Sequence, residues 1–215
     1  MSFLNQLKSQ ATELQSQQAV VLQDLGAKTA QTEAACSVVA HYLRDLAKHL
    51  NVIEPSGPSF SLDGKTPWPA MKLHSFQADA RKKMLRDKEV FDHMTMGWTI
   101  SPKMGVAVGG SVNISFVPEI DRIQQVLTFA HVEHVRKETR HPERHSLQSV
   151  RFDYTTQARG NVTVKADHDA GQLVFRVAHA NGFGVTTTSI AAERINSNLM
   201  DELAKLIVAQ ASTFA

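Results

Sequence analysis

The chain has 215 residues, 42% hydrophobic and 20% charged, with a formal net charge of +2. That balance suits an ordinary globular protein and excludes wholesale disorder. The longest apolar runs, 19–22 and 206–209, fall far short of the ~20 residues a membrane span needs. The start, Met-Ser-Phe-Leu-Asn-Gln-Leu-Lys, has no basic tract leading into an apolar stretch, and the single Cys36 has no partner for an internal disulfide. Both features lead us to expect a reducing, cytoplasmic setting.

Leu4, Leu7, Ala11, Leu14, Gln18, Val21 and Leu25 recur at alternating steps of three and four. On a helix this spacing makes one narrow seam, which needs a second helix to cover it. The same steps continue through Lys28 and Thr32 to Ala35, Val39, Tyr42 and Leu46, so the seam turns polar just after Gly26 and then resumes. Residues 2–50 contain no proline and are rich in Ala, Leu, Gln and Lys, all good helix formers. They predict either one long helix or a helical pair. The polar interruption favours the pair, with Gly26 as hinge or turn.

Residues 51–70 hold Pro55, Gly57, Pro58, Gly64, Pro67 and Pro69 and read as a connector. Trp68, set between two of those prolines, is expected to anchor the connector to the core. We therefore divide the chain into a coiled-coil-like helical segment (1–50), a connector (51–70) and an α+β domain (71–215).

Beyond the connector the apolar period changes. Residues 75–88 suit a helix or a long strand, because Phe76, Ala80 and Met84 are four apart. Residues 90–101 and 105–117 alternate as strands. Pro118 opens a helix with Ile120, Ile123, Leu127 and Ala130 on its apolar face, expected to run on until it must stop before Pro142. Four strands follow at about 148–158, 161–167, 172–180 and 183–189, with short turn signals that include Asn181-Gly182. They predict a four-strand antiparallel meander. A last helix over about 191–211 carries Ile195, Leu199, Leu203, Leu206 and Ile207 on one face. The fold class is α+β: a mostly antiparallel sheet packed by a middle and a C-terminal helix.

No catalytic constellation stands out, and nothing in the pattern asks for a cofactor. His131 and His134, three apart on the expected helix, could share a metal with Glu138 one turn on. Their spacing does not match the zincin pattern, and a solvated, ion-paired helix end is the plainer reading. His93, Asp92, His131 and His134 are the first places to look for enzymatic groups. Cys36 lies among Ala34, Ala35, Val38 and Val39, which suits a buried thiol without reactivity.

Residues 71–165 hold 15 Lys/Arg against 10 Asp/Glu, so the middle of the chain carries the positive excess. Arg81, Lys82, Lys83, Arg86 and Lys88 form one basic segment; Arg136, Lys137, Arg140 and Arg144 form another. On one shared surface they would bind an anion or nucleic acid. Interleaved acids favour a solvated face instead. The leading expectation is a non-enzymatic module that self-associates through residues 2–50. The alternatives are the anion or nucleic-acid binder, and a small-ligand protein with a pocket between sheet and last helix near Arg176 and His179.

Overall fold

A computed structural model describes residues 3–214. The first element is one uninterrupted helix, α1 (Phe3–Ile53), about 75 Å long at about 1.5 Å per residue. This corrects the hinge expected at Gly26, where the helix runs straight on. A Cβ at Gly26 would meet nothing within 4 Å, so the glycine serves no close approach and costs the helix only about 1 kcal/mol.

Two antiparallel sheets follow. Strands β1 (Met71–Leu85), β2 (Lys88–Pro102), β6 (Ala158–Asp167), β7 (Gln172–Ala178) and β8 (Val185–Ala191) form a five-stranded sheet in the order β1-β2-β6-β7-β8. Strands β3 (Gly109–Ile114), β4 (His134–Arg140) and β5 (Leu147–Thr155) form a small sheet in the order β3-β5-β4. Helix α2 (Val117–Phe129) connects β3 to β4, and α3 (Ser197–Ile207) ends the fold. The class is α+β, as the alternation implies.

Residues 71–85 are strand. A spacing of four is also two strand periods, so Phe76 and Ala80 share one face of β1 as readily as of a helix. The β1–β2 turn places Arg86 and Asp87 at φ 48° and 61°, the pair of positive angles that a two-residue hairpin turn requires.

Helix α2 buries Ile120, Ile123 and Leu127 as expected but stops at Phe129. His131 adopts φ 52°, and residues 134–140 pair with β5 instead of extending the helix. The expected meander is also split. β5 lies in the small sheet, and only β6, β7 and β8 run consecutively in the large one. The switch sits at buried Thr156, whose hydroxyl accepts from the Val108 amide at 2.9 Å and donates to the Val108 carbonyl at 3.0 Å.

One face of the five-stranded sheet carries the core. Met94, Met96, Trp98 and Ile100 of β2 alternate inward with Val162 and Val164 of β6 and Leu173, Phe175 and Val177 of β7. The last five turns of α1 cover them with Ala35, Cys36, Val39, Leu43, Ala47 and Leu50, and α3 adds Met200, Leu203 and Ile207. Cys36 is fully buried; burial first, and then nearby Glu33, pushes its thiol up to about 12. The connector returns to the core as expected: Trp68 stacks on Tyr154 at 5.7 Å and meets Phe60 and Phe183 edge-on or tilted.

Polar ties fix α1 on the sheet. The Asn51 side chain accepts from the Phe76 amide at 2.7 Å and donates to the Phe76 carbonyl at 2.9 Å. Glu33 Oε1 accepts from the Phe91 amide and bonds Nε2 of buried His168, both at 2.8 Å. Glu33→Ala strands the ring and the amide together, so it is expected to cost about 2 kcal/mol in chemical unfolding.

In the connector, Asp63 accepts from the Lys65 and Thr66 amides and from the Ser61 and Thr66 hydroxyls, at 2.8 to 3.1 Å. The Thr66 amide leads in drawing its pKa from 3.8 down to about 2, against a smaller opposing effect of burial. A carboxylate depressed in the folded state stabilises above its unfolded pKa and loses that contribution as pH falls. The stability gap between the parent and Asp63→Ala is therefore expected to be full above pH 4 and to close as the pH falls to about 2, read by urea melts across that range.

Candidate functional site

Two regions carry most of the residues singled out in the sequence, and a third emerges only from the fold. The first is the N-terminal half of α1. Among the described residues Thr32 is the first buried one of the helix, and Leu14, Val20, Val21 and Leu22 are 58–66% exposed. The helix first meets the strands' turns at Lys28, beside Gly171, and at Thr29, which accepts from Arg86, so about 35 Å of it reaches beyond the sheet at about 1.5 Å per residue. Leu4 and Leu7, the first two seam positions, have side chains outside the described residues. The seam is one continuous line: Thr32, Ala35 and Val39 are buried on the chain's own sheet, whereas Ala11, Leu14, Gln18 and Val21 are exposed.

The second region is the pair of basic segments. The structure places them apart. Arg81, Lys82, Lys83, Arg86 and Lys88 lie at the β1–β2 hairpin tip, while Arg136, Lys137, Arg140 and Arg144 belong to β4 and the loop after it. In the register of the large sheet, Ile100 pairs with Ala158 at the start of β6, where the small sheet joins. The run of β2 from Lys88 to Ile100 spans about 40 Å at about 3.3 Å per residue, so the two segments sit at opposite ends.

Most of these cations have acidic partners. Lys82 meets Glu89 at 3.0 Å, Lys83 meets Asp92 at 3.1 Å, and Arg81 meets Asp79 at 3.5 Å. Arg86 pairs with Asp169 and donates to the Thr29 hydroxyl. Arg136 and Arg140 both hold Glu138, and Lys137 and Arg151 hold Asp153. Hydrogen bonds from Arg140 and from Lys137 are the largest causes that lower the Glu138 and Asp153 pKa values. Lys88 and Arg144 make no ion pair among the described residues.

The histidines are dispersed too. The helix expected to align His131, His134 and Glu138 is absent: His131 lies in the α2–β4 turn, and His134 and Glu138 lie on β4. Both ring nitrogens of His134 are engaged, Nδ1 with the Val132 carbonyl at 2.8 Å and Nε2 with Gln124 at 2.9 Å. Among the described residues no group of three His, Cys, Asp or Glu is arranged to hold a metal ion. His93 is engaged by Asp92 at 2.7 Å and lies six residues along β2 from Thr99, beside which His131 sits, a separation of about 20 Å.

The third region is a groove that the sequence reading missed. On the uncovered face of the five-stranded sheet, a concavity of about 560 Å³ is lined by Gln77, Asp79, Thr95, Thr99, Arg159 and Asn161, with His131 on its rim. The register sets them in rows: Asp79 opposite Thr95, Gln77 opposite Gly97 and Gly97 opposite Asn161, and Thr99 opposite Arg159. Gly97 presents no side chain there, which leaves the middle of the floor open. A polar residue on the outward phase of a strand is ordinary, so the sequence marks this region only by Asn161, which lies inside β6 just before Val162.

By contrast, the depression between the sheet and α3 is about 160 Å³ and is lined by Val177, Ala180, Asn181, Gly184, Val185, Thr186 and Leu206. Arg176 and His179 do not line it. His179 is buried with Nδ1 unpartnered; burial first, and then nearby Arg176 and His131, lower its pKa, while a bond to the Phe129 carbonyl opposes them.

The architecture defines an α+β protein in which a long helix overhangs the sheet it packs on. Comparison with protein-family models, curated proteins and solved structures gives no match. Among the described residues no helix is long and apolar enough to cross a membrane.

Proposed function

We propose that the protein is a self-associating interaction module whose overhanging helix pairs with the same segment of a second copy. One observation carries the reading: a single heptad line along α1 is buried at Thr32, Ala35 and Val39, half-buried at Tyr42 and Leu46, and exposed from Ala11 to Val21. The covered half is satisfied by the sheet, and the uncovered half has the same period and no cover within the chain. A seam at 3.5-residue spacing selects a helix of matching period, and a second copy supplies one. Most helical stability in proteins comes from packing of an apolar face rather than from propensity, so the pairing would also stabilise the overhang itself.

The experiment is sedimentation of the full chain over a range of concentrations. The reading expects mass to rise above that of one chain with concentration, together with high helical content. A chain that stays monomeric at all concentrations overturns it.

A further inference from the structure

The uncovered sheet face concentrates hydrogen-bonding groups that the chain itself does not use. Among the described residues, the side chains of Gln77, Thr95, Thr99, His131, Arg159 and Asn161 make no hydrogen bond or ion pair to protein, and Asp79 makes only the long contact with Arg81. In the two basic segments, by contrast, most cations are matched to a carboxylate. Asn161 adds a sharper observation: its Oδ1 is buried and has no hydrogen-bond partner. A buried acceptor without a donor costs about 1 to 3 kcal/mol, and such groups call for an explanation. Asn161 lines the groove two positions along β6 from Arg159, on the same face of the strand.

The geometry points to this groove as a binding site for a small hydroxylated acid. Arg159 and His131 lie at one end and Asp79 at the other, four residues of β2 and about 13 Å away. The oxyanion, a carboxylate or a phosphate, belongs at the Arg159–His131 end, where a guanidinium fork fits planar oxyanions. A ligand hydroxyl accepts from Asn161 Nδ2, the end of the amide left open to the groove, with Gln77 and Thr99 flanking it over the open floor at Gly97. No aromatic ring lines the groove except Trp98, whose side chain is packed inward against Phe76. Stacking-dominated ligands are therefore disfavoured and polar recognition is favoured. This site is independent of the overhanging helix, and its failure would leave the pairing proposal standing.

The test is calorimetric titration of the full-length protein with glycerol 3-phosphate, glycerate and inorganic phosphate. Saturable binding of at least one hydroxylated acid is expected, tighter than inorganic phosphate, and the preferred probe decides between phosphate and carboxylate. Arg159→Gln is expected to weaken it by about tenfold or more, the loss of one charge-assisted pair. Arg44→Gln, which removes the same charge from an exposed position on α1, is expected to leave it unchanged.

Asn161→Val is the decisive variant. Valine suits a strand interior and removes the orphaned acceptor. The variant is expected to melt no lower than the parent while binding about tenfold more weakly. No saturable binding of either hydroxylated acid at millimolar concentration, inorganic phosphate binding as tightly as both, equal weakening by Arg44→Gln, or full binding by Asn161→Val would each overturn the site.

Discussion

Full-length protein carrying Leu14→Glu and Val21→Glu is expected to sediment as a monomer at concentrations where the parent chain is associated. The two positions are one heptad apart on the exposed run of α1, and each is more than half exposed in the single chain. Covering a leucine or valine contributes about 1.5 to 3 kcal/mol. A pair of helices places four such side chains in the seam. Replacing them with glutamates removes that gain and sets like charges against one another across the interface. Since about 1.4 kcal/mol is tenfold in affinity, a loss of at least 1,000-fold is expected. The folded body is untouched, because nothing in the chain packs on these residues. Far-UV circular dichroism is expected to fall as the unsupported overhang frays, while the cooperative melt of the sheet stays in place. Ser16→Glu with Gln23→Glu adds the same charge on the opposite side of the helix and is expected to leave association intact. A double seam variant that associates like the parent would remove the basis for helix pairing.

What the sequence made legible follows from the range of the forces involved. The heptad line, the strand alternation of 90–101 and the Pro118 helix start depend on neighbours a few residues apart, and the structure has them. The stop of α2 does not depend on such neighbours. His134-Val-Arg-Lys-Glu-Thr-Arg140 has no local breaker before Pro142, and it becomes strand because β5 offers a pairing edge that no local pattern reveals. The split between β5 and β6 likewise rests on Thr156 meeting Val108, 48 residues away in sequence. At Gly26 the local cost of a glycine in a helix was outweighed by continuity of the turns on either side.

The site follows the same rule. The seam is legible because one helix face is written in one stretch of chain. The groove is assembled from β1, β2, β6 and the α2–β4 turn, and each contributes one or two ordinary polar residues. Only the sheet register brings Gln77, Thr99, Arg159 and Asn161 together. The basic segments show both cases: Asp79, Glu89 and Glu138 are interleaved acids visible in the sequence, while Asp153 and Asp169 come from a distant strand and turn that local spacing does not reveal.

Gly160→Val is expected to destabilise the large sheet strongly, by about 3 kcal/mol. Gly160 pairs directly with Trp98 across β6 and β2, and the indole lies over the glycine. A Cβ at Gly160 would fall inside the contact distance of the Trp98 ring atoms Cε2, Nε1 and Cζ2. Its backbone is ordinary extended strand, so the obstacle is the ring and not the dihedral angles. Gly110 repeats the device in the small sheet, where Tyr154 lies over it across β3 and β5. A valine at 160 forces Trp98 off its seat and away from Phe76, which it stacks on at 5.8 Å. At about 2 to 4 °C per kcal/mol for a chain of this size, Tm is expected to drop by roughly 10 °C. Trp98→Leu alone leaves a void and also destabilises. In the double variant the valine fills part of that void, so the combined loss is expected to be smaller than the sum of the two single losses by about 1 kcal/mol or more. Strict additivity, or a Gly160→Val protein that melts with the parent, would show that the indole does not lie on this glycine. In that case the spacing of β2 and β6, which sets Thr99 against Arg159, would rest on other contacts.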